Sequence, residues 1–455
     1  MTKTLFDSFD PISSKQWKQK IQFELNGADY NQTLLWESAE GIKVKPFYHR
    51  DEKSNSLPIS NPKTPFQIGQ PIFVFDVAKS IQKANDALKR GAESLYFTIP
   101  KSDCNIQELL GAIAIEKKNI FFHLKFLSID FVTQLEKIAI EKKAEFYINL
   151  DPIGNLAREG NWFATQNRNN FEELELLAQK NKFINLISVD GTLYQNAGAN
   201  MVQQIAYCLS HSIEYLNSVP SYQKTIVFEM AVGGNYFFEI AKLRALRFLF
   251  EGIAAEFQPE LKCHIVGVPS KRNKTVYDFN VNLLRTTTEC MSAILGGADT
   301  IINLPYDEIY HKRNEFADRI ARNQLLILKN ESDVNAISNP VEGSYYIESI
   351  TTQLAEKALL LCKEIEQKGG FLKQLKLGSI QTKIQESAAK EQNLFDSQKE
   401  IAVGTNQFIN ASDRMKETIT LLPFVKIKPR KTIITPIIEK RLAEKQEQQR
   451  LNTEK

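Results

Sequence analysis

The residues that could do chemistry in this chain recur at one kind of place, the end of a short β-rich run: Asp76, Lys125, Asn149, Asp151, Asp190, Glu229 and Asn303. Several carboxylates gathered at one mouth could bind a divalent metal or exchange protons with a substrate. The competing reading is structural, because Asp and Asn at such positions commonly cap the next helix or shape a turn. The joint around which the others are arranged is ISVDGTLYQNAGA, Ile187 to Ala199. It reads as a buried strand that ends at Asp190-Gly191 and opens into a polar loop, and Leu193 in that loop offers neither a general acid nor a hydrogen-bond donor. His49, His123, His211, His264 and His311 show no H-x-x-x-H or H-E-x-x-H spacing, so a zinc site finds no support, although His123 could point inward from its strand. Gly233-Gly234-Asn235 precedes the helix YFFEIAKLRALRFLF, where free amides could hold a phosphate. Glycines that let the chain turn tightly explain the triplet as well. On that helix Glu239, Lys242, Arg244 and Arg247 mix with the stripe Phe237, Ile240, Leu243 as on an ordinary outer barrel helix, though the two arginines could bind a partner.

What positions these residues is a regular alternation. From Pro65 onward, apolar runs at 72–76, 94–99, 119–126, 145–150, 185–190, 225–230, 264–268 and 300–304 are each followed by helical periodicity, the first with Ser80 as N-cap and Gly91 just past the end. β-rich runs separated by amphipathic helices predict parallel strands with right-handed crossovers, and eight of them favour a closed (β/α)8 TIM barrel over residues 65–345. A doubly wound open sheet is the alternative, but no G-x-G-x-x-G opens any helix. Residues 1–64 form an arm with a short helix around 14–25, which lies either on its own barrel or on a partner. Residues 346–455 read as helices at 351–367 and 378–391, followed by an extended strap and a charged, solvated helix.

A formal net charge of +3, from 57 basic and 54 acidic residues, gives no electrostatic case for nucleic acid or an anionic membrane. Cys104, Cys208, Cys263, Cys290 and Cys362 are odd in number and contain no C-x-x-C pair, which suits reduced thiols and a cytoplasmic chain. No amino-terminal h-region and no apolar run of about 18 residues is present to export or anchor it.

Several stretches resemble one family: LNGADYNQTLLWESAEGIKVKPFY in the arm, FFEIAKLRALR, LRTTTECMSAILGGADTIINLPYDE, ADRIARNQLLILKNES, NPVEGSYYIE and VGTNQF. Together they are similar to the methylmalonyl-CoA mutases. The resemblance implies an adenosylcobalamin-dependent interconversion of methylmalonyl-CoA and succinyl-CoA in propionate metabolism, with the CoA chain threaded along the barrel axis. Against the family's pattern the chain departs at several places. The loop of the G-Y-H-M-Q-E-A-G type reads GTLYQNAG, so Leu193 stands at the catalytic histidine's position, and IGQP puts Pro71 where a catalytic tyrosine belongs. Neither replacement can donate a proton. PSKRN at 269–273 replaces a substrate loop of the T-S-G-W-S type, and Arg168 lies near the place of a carboxylate-binding arginine among neighbours that do not match. No histidine follows an aspartate by two residues, so the cobalt-ligating D-x-H-x-x-G is missing, and the length leaves no room for a cobalamin domain. The chain thus resembles the small, or beta, subunit of the heterodimeric bacterial enzymes: non-catalytic, binding no cofactor or metal itself, and stabilising a homologous large (alpha) subunit that holds adenosylcobalamin and the acyl-CoA. The arm residues Trp17, Leu34, Leu35 and Trp36 are expected at that interface. The alternative is a stand-alone barrel enzyme using the strand-end carboxylates, with or without a divalent metal.

Overall fold

A computed structural model describes residues 8–52, 57–60, 65–165, 168–334, 336–426 and 429–454. Among these, eight parallel strands close into a barrel: β1 Gln67–Phe73, β2 Ser94–Ile99, β3 Asn119–Leu124, β4 Glu145–Leu150, β5 Asn185–Asp190, β6 Thr225–Val232, β7 Lys262–Pro269 and β8 Thr300–Ile301. Strands such as NLISVD and TIVFEMAV are buried along their whole length because helices cover the outside and side chains fill the inside. This is the (β/α)8 architecture expected from the alternation.

The first strand lies earlier than the apolar run 72–76 suggested. Gly69 and Pro71 look like strand breakers, yet both sit inside β1. Only Gln67 and Ile68 pair with β8, so further along that side a residue without an N–H is tolerated. Gln70 reaches outward to Arg322 Nη1 at 2.6 Å, and by alternation Gly69 and Pro71 face the axis. The helix after β1 starts at Val77, capped by Asp76 rather than by Ser80, whose hydroxyl instead bonds back to the Asp76 carbonyl. Gly91, at φ +97°, takes the left-handed place past the helix end.

The helix Tyr236–Phe257 is packed between the barrel and the long helix Tyr345–Gln367. Its cations are engaged internally: Lys242 with Glu239 at 2.5 Å, Arg244 with Glu348 at 3.0 Å, and Arg247 with Asp299 at 2.7 Å. The two arginines are therefore buried and do not face a partner.

Two terminal segments wrap this frame. In the arm, the helix Ser14–Glu24 is followed by Tyr30–Leu34 and a minimal antiparallel ladder, Trp36–Glu37 against Lys43–Val44. From Trp36 onward it packs on its own barrel: Ile42 joins the main core, the Met201 amide donates to Glu40 at 3.1 Å, and Trp36 meets Phe238 edge-on at 5.7 Å. Parts of the arm, 1–7, 53–56 and 61–64, lie outside the described residues. At the other end, the helices Tyr345–Gln367, Phe371–Lys376 and Ser379–Asp396 precede an extended stretch at 429–443 and a helix Glu444–Thr453. That last helix is not simply solvated. Glu447 is 1% exposed, bonded to Arg441 at 2.6 Å and to the Val276 amide at 2.8 Å, and Glu454 accepts from Tyr277. No helix among the described residues is long and apolar enough to cross a membrane.

Candidate functional site

At the carboxyl ends of the strands, where barrels of this architecture place their chemistry, the fold gathers Asn149, Asp151, Asp190 and Glu229, with His123 and Lys125 nearby. Register puts Asp190 of β5 opposite Glu229 of β6. The pairing of β4 with β5 is irregular between Tyr147 and Leu150, and Asn149 there adopts φ +45°. Its Nδ2 donates to Glu229 Oε1 at 2.9 Å, and the Tyr96 hydroxyl donates to the same oxygen at 2.6 Å. Asn149 Oδ1 is buried without a partner. Burial first, and then the charge of Asp190, push the Glu229 carboxyl up to about 8. Burial works against the charge on Asp190 too, but Arg158 at 2.5 Å and the Thr192 hydroxyl outweigh it and hold Asp190 at about 2. The two carboxyls are thus driven apart, one acid and one base at neutral pH. His123 is pushed down to about 3, by burial and then by Lys125.

Asp151 has a mainly structural role. Its Oδ1 accepts from the Gly154 amide at 2.8 Å and from Tyr215 at 2.6 Å, and its Oδ2 takes the Asp190 amide at 2.9 Å. His211, fully buried, bridges Asp151 at 2.9 Å and the Tyr194 hydroxyl at 2.9 Å. Asp76 and Asn303 do not belong to the mouth. Asp76 caps its helix on the surface, and Asn303 turns outward to the Ala321 carbonyl and Gln324, each at 2.9 Å. The sequence reading missed Arg158, Tyr96, Tyr215 and Glu439, which reach the cluster from a short helix, a strand, a distant helix and the strap. No local spacing signals them.

Leu193 lies in a short helix, Thr192–Asn196, rather than in an open loop, and its side chain is 0% exposed within the main core. Gln195 and Asn196 of that helix meet the PSKRN loop through Ser270 Oγ at 2.7 Å and the Lys271 amide at 2.9 Å. Gly233, Gly234 and Asn235 line a cavity of about 410 Å³ together with Arg272 and Arg285. The Gly233 amide donates to Glu239, Arg272 pairs with Glu391 at 2.5 Å, and Arg285 donates to Thr275, Asn282 and the Val403 carbonyl. The cations of that cavity are thus already engaged. Arg168 is exposed. No group of three or more His, Cys, Asp or Glu among the described residues is placed to hold a metal ion.

Below the mouth the axis is filled. Tyr96, Phe121, Tyr147, Val227, Val266 and Ile302 form one buried cluster. Tyr96 stacks on Phe121 at 6.1 Å, Phe121 on Tyr147 at 4.6 Å, and His264 lies 5.0 Å from Tyr147. A Cβ at Gly69 would come within 2.9 Å of Ile302, so β1 contributes a bare backbone to the same packing.

The methylmalonyl-CoA mutase family profile matches residues 124–452. The methylmalonyl-CoA mutase small subunit of Porphyromonas gingivalis is 32% identical over 451 residues, covering 92% of this chain and 73% of that protein. The methylmalonyl-CoA mutase of Rhizobium meliloti is 29% identical over 459 residues, covering 87% of this chain and 64% of its own length. The large subunit from Porphyromonas gingivalis is 33% identical over 247 residues, covering 51% of this chain and 34% of that protein. The chain thus spans less than two thirds of the latter two relatives. A profile match across most of the barrel and the following helices, with a relative that aligns over nearly the whole chain, places this protein in the methylmalonyl-CoA mutase family.

Proposed function

We propose that this chain is the small, non-catalytic subunit of a heterodimeric, adenosylcobalamin-dependent methylmalonyl-CoA mutase, and that it stabilises a homologous large subunit in the cytoplasm. The observation that carries the reading is the closed axis. The family resemblance implies a CoA chain threaded along the barrel, but here stacked rings occupy that path. Pro71 and Leu193 agree with it, since neither side chain has a proton to give and Leu193 is packed into the core. The naming of both a small and a large subunit in Porphyromonas gingivalis supports a two-chain assembly.

The residues present do not fit axial ligation of cobalt. His211 and His264 are buried and already bonded, to Asp151 and Tyr194 and to Thr300. His49 and His311 sit beside Asp51 and Asp307, and His123 lies at the mouth among rings and charges. Cobalamin and acyl-CoA accordingly belong to the large subunit. One observation favours a second reading, a stand-alone acid–base barrel enzyme: the Glu229 carboxyl near 8 beside an ionised Asp190. Titration calorimetry of the purified chain with adenosylcobalamin and with Mg²⁺ or Mn²⁺ separates the two. The subunit reading expects no binding of either, and co-purification with a large subunit from the native source. Saturable metal binding with turnover by the chain alone would replace it with the second.

A further inference from the structure

The extended stretch before the last helix runs along the rim of the barrel mouth and bonds to it at each step. The Ile433 and Ile434 amides donate to the Gly160 carbonyl at 2.9 and 3.3 Å, and the Ile437 amide to Ala157 at 2.8 Å. Next, the Lys440 amide donates to Asn196 and the Leu442 amide to Arg272, each at 3.0 Å. The segment therefore passes over the loops that follow β4, β5 and β7 in turn. Ile434 and Ile437, 6% and 5% exposed, belong to the main core, while Ile433 and Ile438 face solvent. Gly160, at φ +76°, is bare where the segment crosses it, and a Cβ there would lie 2.8 Å from the Ile434 carbonyl oxygen and from Thr432 Cβ. Arg441 fixes the far end through Glu447 and the carbonyls of Pro423 and Lys274.

One side chain joins this segment to the mouth itself. Arg158 gives Nη2 to Asp190 Oδ2 at 2.5 Å and Nη1 to Glu439 Oε2 at 3.0 Å, and the other oxygen of Glu439 faces Asn196 Nδ2 at 3.3 Å. We propose that residues 429–443 are a built-in cap over the β4-to-β7 half of the barrel mouth, latched by Arg158, which ties Glu439 of the cap to Asp190 beneath it. A cofactor domain or ligand approaching Asp190 from that side must first displace the cap, so this half of the mouth is covered from within the chain. The inference stands on contacts within the chain and does not depend on the subunit reading.

Hydrogen–deuterium exchange with peptide-resolved mass spectrometry on the full chain tests it. In the native protein, peptides spanning 432–443 should exchange far more slowly than free chain, and Arg158→Ala and Glu439→Gln should each speed them by roughly tenfold while β5 and β6 peptides hold their rates. Gly160→Ala should act in the same direction by collision with Ile434 and Thr432. Should Arg158→Ala fail to fold, Glu439→Gln carries the test, since it alters only the partly exposed end of the latch. Free-chain exchange of 432–443 in the native protein would overturn the cap. Unchanged exchange in Glu439→Gln, or equal acceleration of every barrel strand, would overturn the latch.

Discussion

Glu229 is held in a place that suits its neutral form, buried and opposite the charged Asp190, and these outweigh the hydrogen bonds that Tyr96 and Asn149 donate to one of its oxygens, which favour the ionised form. Its carboxyl rises to about 8 from the usual 4.5, so between those values the folded chain binds a proton that the unfolded chain does not. Stability from this group is complete below the unfolded value and is lost as pH rises through the window, by up to about 1.4 kcal/mol per pH unit. Asp190, held at about 2, stays ionised throughout that window and adds no slope. Urea unfolding at pH 5.5, 7 and 8.5 should therefore show wild type losing stability relative to Glu229→Gln as pH rises; parallel trends in the two proteins would contradict the assignment. Leu193 and Pro71 invite a different test. Restoring Leu193→His and Pro71→Tyr together should give no methylmalonyl-CoA turnover and no cobalt-centred paramagnetic signal with added adenosylcobalamin, because homolysis is the cofactor's chemistry and the proposed function assigns the cofactor to the large subunit. The double variant should also be less stable by about 1–3 kcal/mol, since an imidazole at a fully buried core position lacks a partner. Either activity or the signal would show that this barrel can use the cofactor by itself and would overturn the proposed division of labour between subunits. Asn149, Asp151, Asp190 and Glu229 were legible because strand ends are visible in sequence; Arg158 and Glu439 were not, because they meet only through the tertiary path of the strap.

Among the elements, the helices and inner strands were readable from periodicity, whereas β1 was displaced by its own residues. Gly69 makes room for Ile302 and Pro71 sits past the reach of the β8 ladder, so both break local rules to satisfy the barrel. The last helix misled in the opposite direction: its charge pattern describes a solvated surface, but Glu447 is buried against Arg441. Leaving a buried cation unpaired commonly costs about 3–5 kcal/mol, so Glu447→Ala should lower the thermal midpoint clearly, whereas Lys445→Ala on the same helix should hardly move it. Equal small effects would show that this helix adds little to the fold. The arm divides at Asp29. Beyond it, Ile42 is buried in the main core, though Trp36 stays 51% exposed, while before it Trp17 is 49% and Phe23 78% exposed. A chain starting at Asp29 should keep its far-ultraviolet circular dichroism and its thermal midpoint, because no core residue of the barrel is removed. Loss of the fold would make the early arm part of the core.

For the whole molecule, the proposed subunit role places the chain's contribution to a mutase on its outer surface, since the barrel is packed along its axis and its mouth is half covered by the proposed cap. Two homologous barrels can pair through equivalent faces about a pseudo-two-fold axis, and permanent interfaces of this kind commonly bury about 2,000 Å² or more around a few aromatic anchors. The early arm exposes two aromatic side chains that would suit this role, Trp17 and Phe23, set on a helix capped by Ser13. Mixed with a large subunit, the full chain should elute as a one-to-one heterodimer, and the thermal midpoint of the mixture should rise with protein concentration, as mass action requires when association stabilises the folded state. The chain starting at Asp29 should associate more weakly while staying folded, and mutase activity of the mixture at low protein concentration should fall in step with heterodimer content. Undiminished association of the truncated chain would move the interface to another face of the barrel. A large subunit whose stability and activity ignore this chain altogether would remove the reason for pairing the two.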